Sequence, residues 1–167
     1  MKKIFTILVV LCTTLIYEQD SLSVEKSKLS LEGSADIYYR SNLSTSNTDV
    51  APSTSFANLN GFSLGMFNLK SSYESGKTGF VADLVFGPRG EDAVFLSTGN
   101  SSIVNQLYAY WNVNDKLTLT MGNFNTFLGY EVISPIDNFN YSTSYMFSYG
   151  PFSHSGLKAD FAFSEEF

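Results

Sequence analysis

Leu29-Ser30-Leu31-Glu32-Gly33-Ser34-Ala35-Asp36-Ile37-Tyr38-Tyr39-Arg40 alternates in polarity from end to end. In an extended chain, successive side chains point to opposite faces. Leu29, Leu31, Gly33, Ala35, Ile37 and Tyr39 therefore share one face, and Ser30, Glu32, Ser34, Asp36, Tyr38 and Arg40 the other. A slip of one residue would carry Glu32, Asp36 and Arg40 to the apolar side. If that side meets hydrocarbon, a midplane Arg costs roughly 2–4 kcal/mol and an acid somewhat less. The register of the segment is pinned.

The same period of two recurs downstream, and no window past the N-terminal region keeps a helical period. A second strand is expected from Phe62 to Tyr73, with a β-bulge near Met66, where the apolar phase shifts from Phe62, Leu64 and Met66 to Phe67, Leu69 and Tyr73. Further strands are expected at Gly79–Gly87, Val104–Val113, Lys116–Phe124, Asn140–Tyr149 and Gly156–Ser164. The fold class is all-β and antiparallel, with about seven strands.

The connections alternate in length. Ser41–Gly61, Pro88–Ile103 and Asn125–Phe139 are long, whereas Glu74–Thr78, Asn114-Asp115 and Gly150–Ser155 are short. Wide loops at one end and tight turns at the other are the habit of transmembrane β-barrels. With a periplasmic N-terminus the seventh strand would end outside, yet such barrels close on an even count. A truncated, partial barrel is the expectation. The alternative is eight strands, with one more in Ala93–Ser97 and Phe167 as a terminal aromatic signal.

The first residues read differently. Met1-Lys2-Lys3 followed by an apolar run from Ile4 to Ile16 has the form of a secretory signal peptide. The run is shorter than the ~18 residues a spanning helix needs. Residues 1–23 are assigned to the signal, with cleavage between Leu15 and Val24, and 24–167 to the barrel domain. Cys12, the one cysteine, lies inside the signal, and Leu11 stands where a lipoprotein signal wants a small residue. The mature chain thus has no disulfide framework.

Charged residues make up 16% of the chain, against roughly 25% in ordinary soluble domains. The net charge of −6 argues against a nucleic-acid partner, which needs basic stripes. Aromatics near the strand ends (Tyr38-Tyr39, Phe62, Tyr73, Phe80, Phe86, Tyr108 to Trp111, Phe124, Phe127, Tyr141 and Tyr149) suit girdles at a lipid–water boundary.

The candidate site is the row facing the lumen: Glu32, Asp36, Arg40, Asp83, Gln106, Tyr108, Tyr110, Lys158 and Asp160. Rings of such side chains set ion preference in pores. Acids outnumber bases among them, so cations or neutral solutes are expected to be favoured. Glu131, in the third long loop, is a candidate for a constriction. No catalytic residue, metal site or cofactor is expected. His154, the one histidine, reads as a turn residue, and Ser75-Gly76-Lys77-Thr78 as a hairpin turn rather than a phosphate loop. Asn42, Asn100 and Asn140 open chance matches to the glycan acceptor pattern.

Gly122-Asn123-Phe124-Asn125-Thr126-Phe127-Leu128-Gly129-Tyr130-Glu131, Asn138-Phe139-Asn140-Tyr141-Ser142 and Ser153-His154-Ser155-Gly156 resemble a β-barrel porin family of Bacteroidetes-type bacteria, with weaker likeness at Gly33–Tyr39 and Phe80–Gly87. The resemblance implies an outer-membrane location, a role in diffusion or uptake, and a length greater than this chain's. Lipid and small solutes are the partners it implies, with a homo-oligomer among the options. The competing readings are a lumen-less barrel serving as adhesin or structural anchor, and a secreted soluble ligand-holding barrel, which the sparse strand charges oppose.

Overall fold

A computed structural model describes residues 27–43, 58–94 and 99–164. These residues form one antiparallel sheet of six strands in chain order: β1 Lys28–Arg40, β2 Gly61–Ser75, β3 Thr78–Phe86, β4 Val104–Asn114, β5 Leu117–Asn125 and β6 Ser153–Phe161. Every strand is bonded to its neighbour in sequence, and β1 and β6 are the two edges. The shortest strands have 9 residues and the longest 15, whereas strands of soluble domains average about 5–6. The expected signal peptide at 1–23 lies outside the described residues.

The short connections are built by local chemistry. Gly76 has φ 55° at the first central position of the β2–β3 turn, as a type II′ hairpin turn requires. Between β4 and β5, the Asn114 side chain accepts from the Lys116 N–H at 2.9 Å, closing an Asx turn.

The bulge expected near Met66 is present. Ala35 pairs with Phe67 and Ile37 with Leu64, so Gly65 and Met66 together oppose Asp36. A Cβ at 65 would run into the Asp36 carboxylate, so any larger residue there has to displace that side chain. A second bulge sets Asn105 as the extra residue beside Gln106, opposite Asp83. Both bulges turn a neighbouring pair of residues toward one face.

Polarity across the sheet is the reverse of a water-soluble fold. Leu31, Ile37, Met121 and Leu157 on one face are 66–73% exposed, while Asp83 and Asn105 on the other are 4% and 3% exposed. The exposed face carries aromatic pairs toward its two ends, Tyr39 on Phe62 at 4.9 Å and Tyr73 on Phe80 at 5.5 Å. Trp111 and Phe161 extend the second group. Of the aromatics expected in girdles, Tyr38, Tyr108, Tyr110 and Phe124 instead share the inner face with Asp36 and Asp83, and Phe127, Tyr141 and Tyr149 lie in the connection between β5 and β6.

The inner face is covered by two inserted segments. Helix α1, Pro88–Ala93, follows β3, and the 126–152 connection carries a second short helix, α2, Tyr145–Tyr149. Met66, Val85, Ala93, Ile133 and Phe147 form a small buried cluster between the sheet and these segments.

Here the structure corrects the expected sixth strand. Asn140–Tyr149 is loop and helix, so the described strands number six and β6 returns to the end where β1 starts. Tyr141, Tyr145 and Tyr149 are spaced by four, which fits a helical turn as well as a strand. Ser144 decides between them by accepting from the Phe147 N–H at 3.2 Å as N-cap. The loop alternation survives as long, short, long, short, long. The odd count that suggested truncation does not. Ala93, where an eighth strand was considered, is helical, and most of the rest of that stretch lies outside the described residues. His154, expected in a turn, lies in β6, bonded to the Thr126 hydroxyl at 3.0 Å and stacked on Phe127 at 4.6 Å.

Two substitutions test this arrangement. Leu107→Arg, on the exposed face, is expected to cost roughly 2–4 kcal/mol in a lipid bilayer. Tyr110→Arg, three positions on and facing inward, should cost far less. Urea midpoints of the protein folded in vesicles measure both; a cost for Leu107→Arg within ~0.5 kcal/mol, as at a watered surface, would contradict the lipid-facing assignment. Gly65→Val should destabilise by about 1–3 kcal/mol through overpacking against Asp36, read in the same titration.

Candidate functional site on the inner face

Strand pairing lines up the inner residues in rows. Glu32 faces Lys70, Lys70 faces Asp83, and Asp83 faces Gln106, so four strands contribute one polar row. Nearer the turns, Tyr110 faces Thr120, which faces Lys158. All nine residues expected to face the lumen fall on this face, but the structure divides them. Glu32, Asp83 and Gln106 border a cavity of about 430 Å³. Gln106, Tyr108, Tyr110 and Lys158 border a second, of about 360 Å³. Arg40 lies at the loop end, where its guanidinium donates to the Asn58 carbonyl at 3.1 Å. Asp160 sits near the turns, 3.0 Å from Lys158 in a partly exposed ion pair.

Asp83 is the most constrained of these groups. Its carboxylate accepts from the side-chain amides of Asn68 at 3.1 Å, Asn105 at 2.6 Å and Gln106 at 3.3 Å. All three donors are neutral, so the charge is solvated by dipoles and not cancelled. The bulge at Asn105 makes this possible, because it turns two consecutive residues toward one carboxylate.

The 126–152 segment crosses the inner face and is held at its far side by a buried cation. Arg89, fully buried in α1, donates from Nε to the Ile133 carbonyl at 2.9 Å and from a terminal nitrogen to the Tyr141 carbonyl at 3.4 Å. Its guanidinium also lies 5.5 Å from the centre of the Tyr141 ring. Burial pulls the Arg89 pKa down, opposed by Tyr141 and Asp36. The Tyr141 hydroxyl in turn donates to both Asp36 oxygens, at 2.9 and 2.8 Å. Burial first, and that bond second, raise the Tyr141 pKa well above the ordinary phenol value, so the donor stays protonated at alkaline pH. Glu131 works inside the segment: its carboxylate accepts from the Ser144 N–H at 2.7 Å and from the Ser144 hydroxyl, anchoring the start of α2.

Sequence reasoning passed over Asn68, Lys70, Asn105, Asn125 and Arg89. The first two follow from face parity once the phase shift at Met66 is carried through. Asn105 needed the second bulge, which no apolar residue marks. Arg89 stands in a Gly-Pro-Arg-Gly connection with no periodicity to read.

Arg89→Ala should leave the sheet folded and free the inserted segment. Each buried carbonyl left without its donor costs roughly 1–3 kcal/mol. The expected outcome is faster protease cleavage between Thr126 and Phe152 with an unchanged strand signal in far-UV circular dichroism; loss of that signal would mean that Arg89 supports the sheet itself.

Residues 28–167 match the family model described as "Putative beta-barrel porin-2, OmpL-like". No curated protein and no solved structure matches the chain. The family match starts at the first residue of β1 and takes in all six strands. An antiparallel meander with apolar side chains outward, polar side chains inward and loops folded over the polar face is what a β-barrel family requires, and the chain belongs to this β-barrel porin-2, OmpL-like family.

Proposed function

We propose that the chain is an outer-membrane, porin-like barrel through which small polar solutes diffuse passively, with no chemistry done on the solute. The observation that carries this reading is the inverted sheet. The strands expose leucine, isoleucine, methionine and aromatic side chains on one face, and on the other bury Asn68, Asp83, Asn105 and Thr120. In hydrocarbon each backbone N–H and C=O must be paired within protein, so a spanning sheet has to close. The wall is complete when β1 and β6 each have a strand partner beyond the five pairings described here. Lipid is then the partner of the outer rows.

The inner row sets what passes. Glu32, Asp36, Asp83 and Asp160 outweigh Arg40 and Lys158, and Lys70, also on this face, narrows the difference without reversing it. Mild preference for cations and neutral solutes follows. The segment pinned by Arg89 narrows the path on the side of the long loops.

Two measurements test the reading. The protein should remain with outer membranes after alkaline carbonate extraction, and release by carbonate would remove it. In planar bilayers under a salt gradient, the full chain should give stable conductance steps with a reversal potential of cationic sign. A lumen-less anchor would bind membranes and give no steps, and anion preference would overturn the charge argument.

A further inference from the structure

The cavity above Asp83 carries a pattern of acceptors that the pore reading alone does not use. A carboxylate is acceptor-only, so each amide bonded to Asp83 must turn its nitrogen toward it. That fixes the amide orientations of Asn68 and Asn105. Their oxygens necessarily point elsewhere. Both Asn68 Oδ1 and Asn105 Oδ1 are buried with no hydrogen-bond partner among the described residues, and so is Asn125 Oδ1 of the same cavity lining. The residues carrying the first two are more than nine-tenths buried.

Unpaired buried acceptors are costly and are ordinarily matched. Here the amide nitrogens of Asn68, Asn105 and Gln106 are already spent on Asp83, and Lys70 is the one cationic donor of the lining. A matching group must bring hydrogen-bond donors or positive charge. Glu32 and Asp137 add two carboxylates to the lining, against one cation, Lys70. Among the described residues no three acidic, histidine or cysteine side chains converge, so the ligand atoms are mainly neutral amide oxygens. Such oxygens suit hard cations held weakly, and equally the N–H groups of a small ammonium ion.

We propose that this cavity is a cation-binding site, with Asn68, Asn105 and Asn125 side-chain oxygens as ligands and Asp83 as the second-layer charge that orients two of them. It rests on reading the inner face as the solute path. A cation would dwell here during passage, and Lys70 opposes it by charge.

The full chain folded in detergent is titrated calorimetrically with sodium, potassium, calcium and methylammonium chlorides, over a background of N-methylglucamine chloride. At least one cation should bind saturably, one per chain. Asn105→Leu and Asn125→Ala should each weaken it at least fivefold, and Lys70→Met should tighten it. The heat-modifiable gel shift of each variant confirms folding, and Asn125→Ala serves if Asn105→Leu does not fold. Whether an inorganic ion or the ammonium binds identifies the cargo and supports the site either way. No saturable binding by any of the four, or binding indifferent to the asparagine variants, overturns it. Because the titration needs no bilayer, a chain that conducts but binds no cation refutes the site alone, and one that binds but does not conduct refutes the pore alone.

Discussion

The structure depends on one constraint: strands that lie in an apolar phase must find all their backbone partners in other strands. Water cannot serve a bare N–H or C=O there, and each orphan costs several kcal/mol. Long strands, tight turns between neighbours and an unbroken ladder from β1 to β6 follow directly. So does the inverted polarity, because the side chains leaving the ladder on one face meet oil and those on the other must be given water or each other.

Within that ladder, irregularity is where the polar face acquires its character. At Gly65-Met66 the extra residue makes room for the Asp36 carboxylate and drops Met66 into the small apolar cluster under α1. At Asn105 the extra residue adds a third amide to Asp83. A regular sheet would have spaced these side chains about 7 Å apart along each strand and left the carboxylate with fewer donors. Arg89 uses the same logic across a longer distance, exchanging its hydration for two backbone carbonyls and an aromatic face.

The fold was largely legible because hydrocarbon enforces a strict period. β1 reads directly from Leu29 to Arg40, and the phase shift at Met66 announced its bulge. Legibility failed where that enforcement lapses. In Asn140–Tyr149, which lies over the polar face, alternating tyrosine and serine carries no lipid side to defend, and an N-cap serine won. The parity of the inner residues was also readable, but their grouping into two cavities was not. That grouping depends on where Val132 and Ile136 of the inserted segment come to rest over the sheet, and on Arg89, whose partners lie more than forty residues away in the chain.

The meander has a kinetic side. Each strand adds to the one made just before it, so the ladder can grow hairpin by hairpin with short loop closures. The bond from Tyr141 to Asp36 joins residues 105 apart. Its closure spans a far longer loop than any of the strand pairings, which makes this one phenol–carboxylate contact a natural last stitch in assembly and a marker of when the inserted segment has come home.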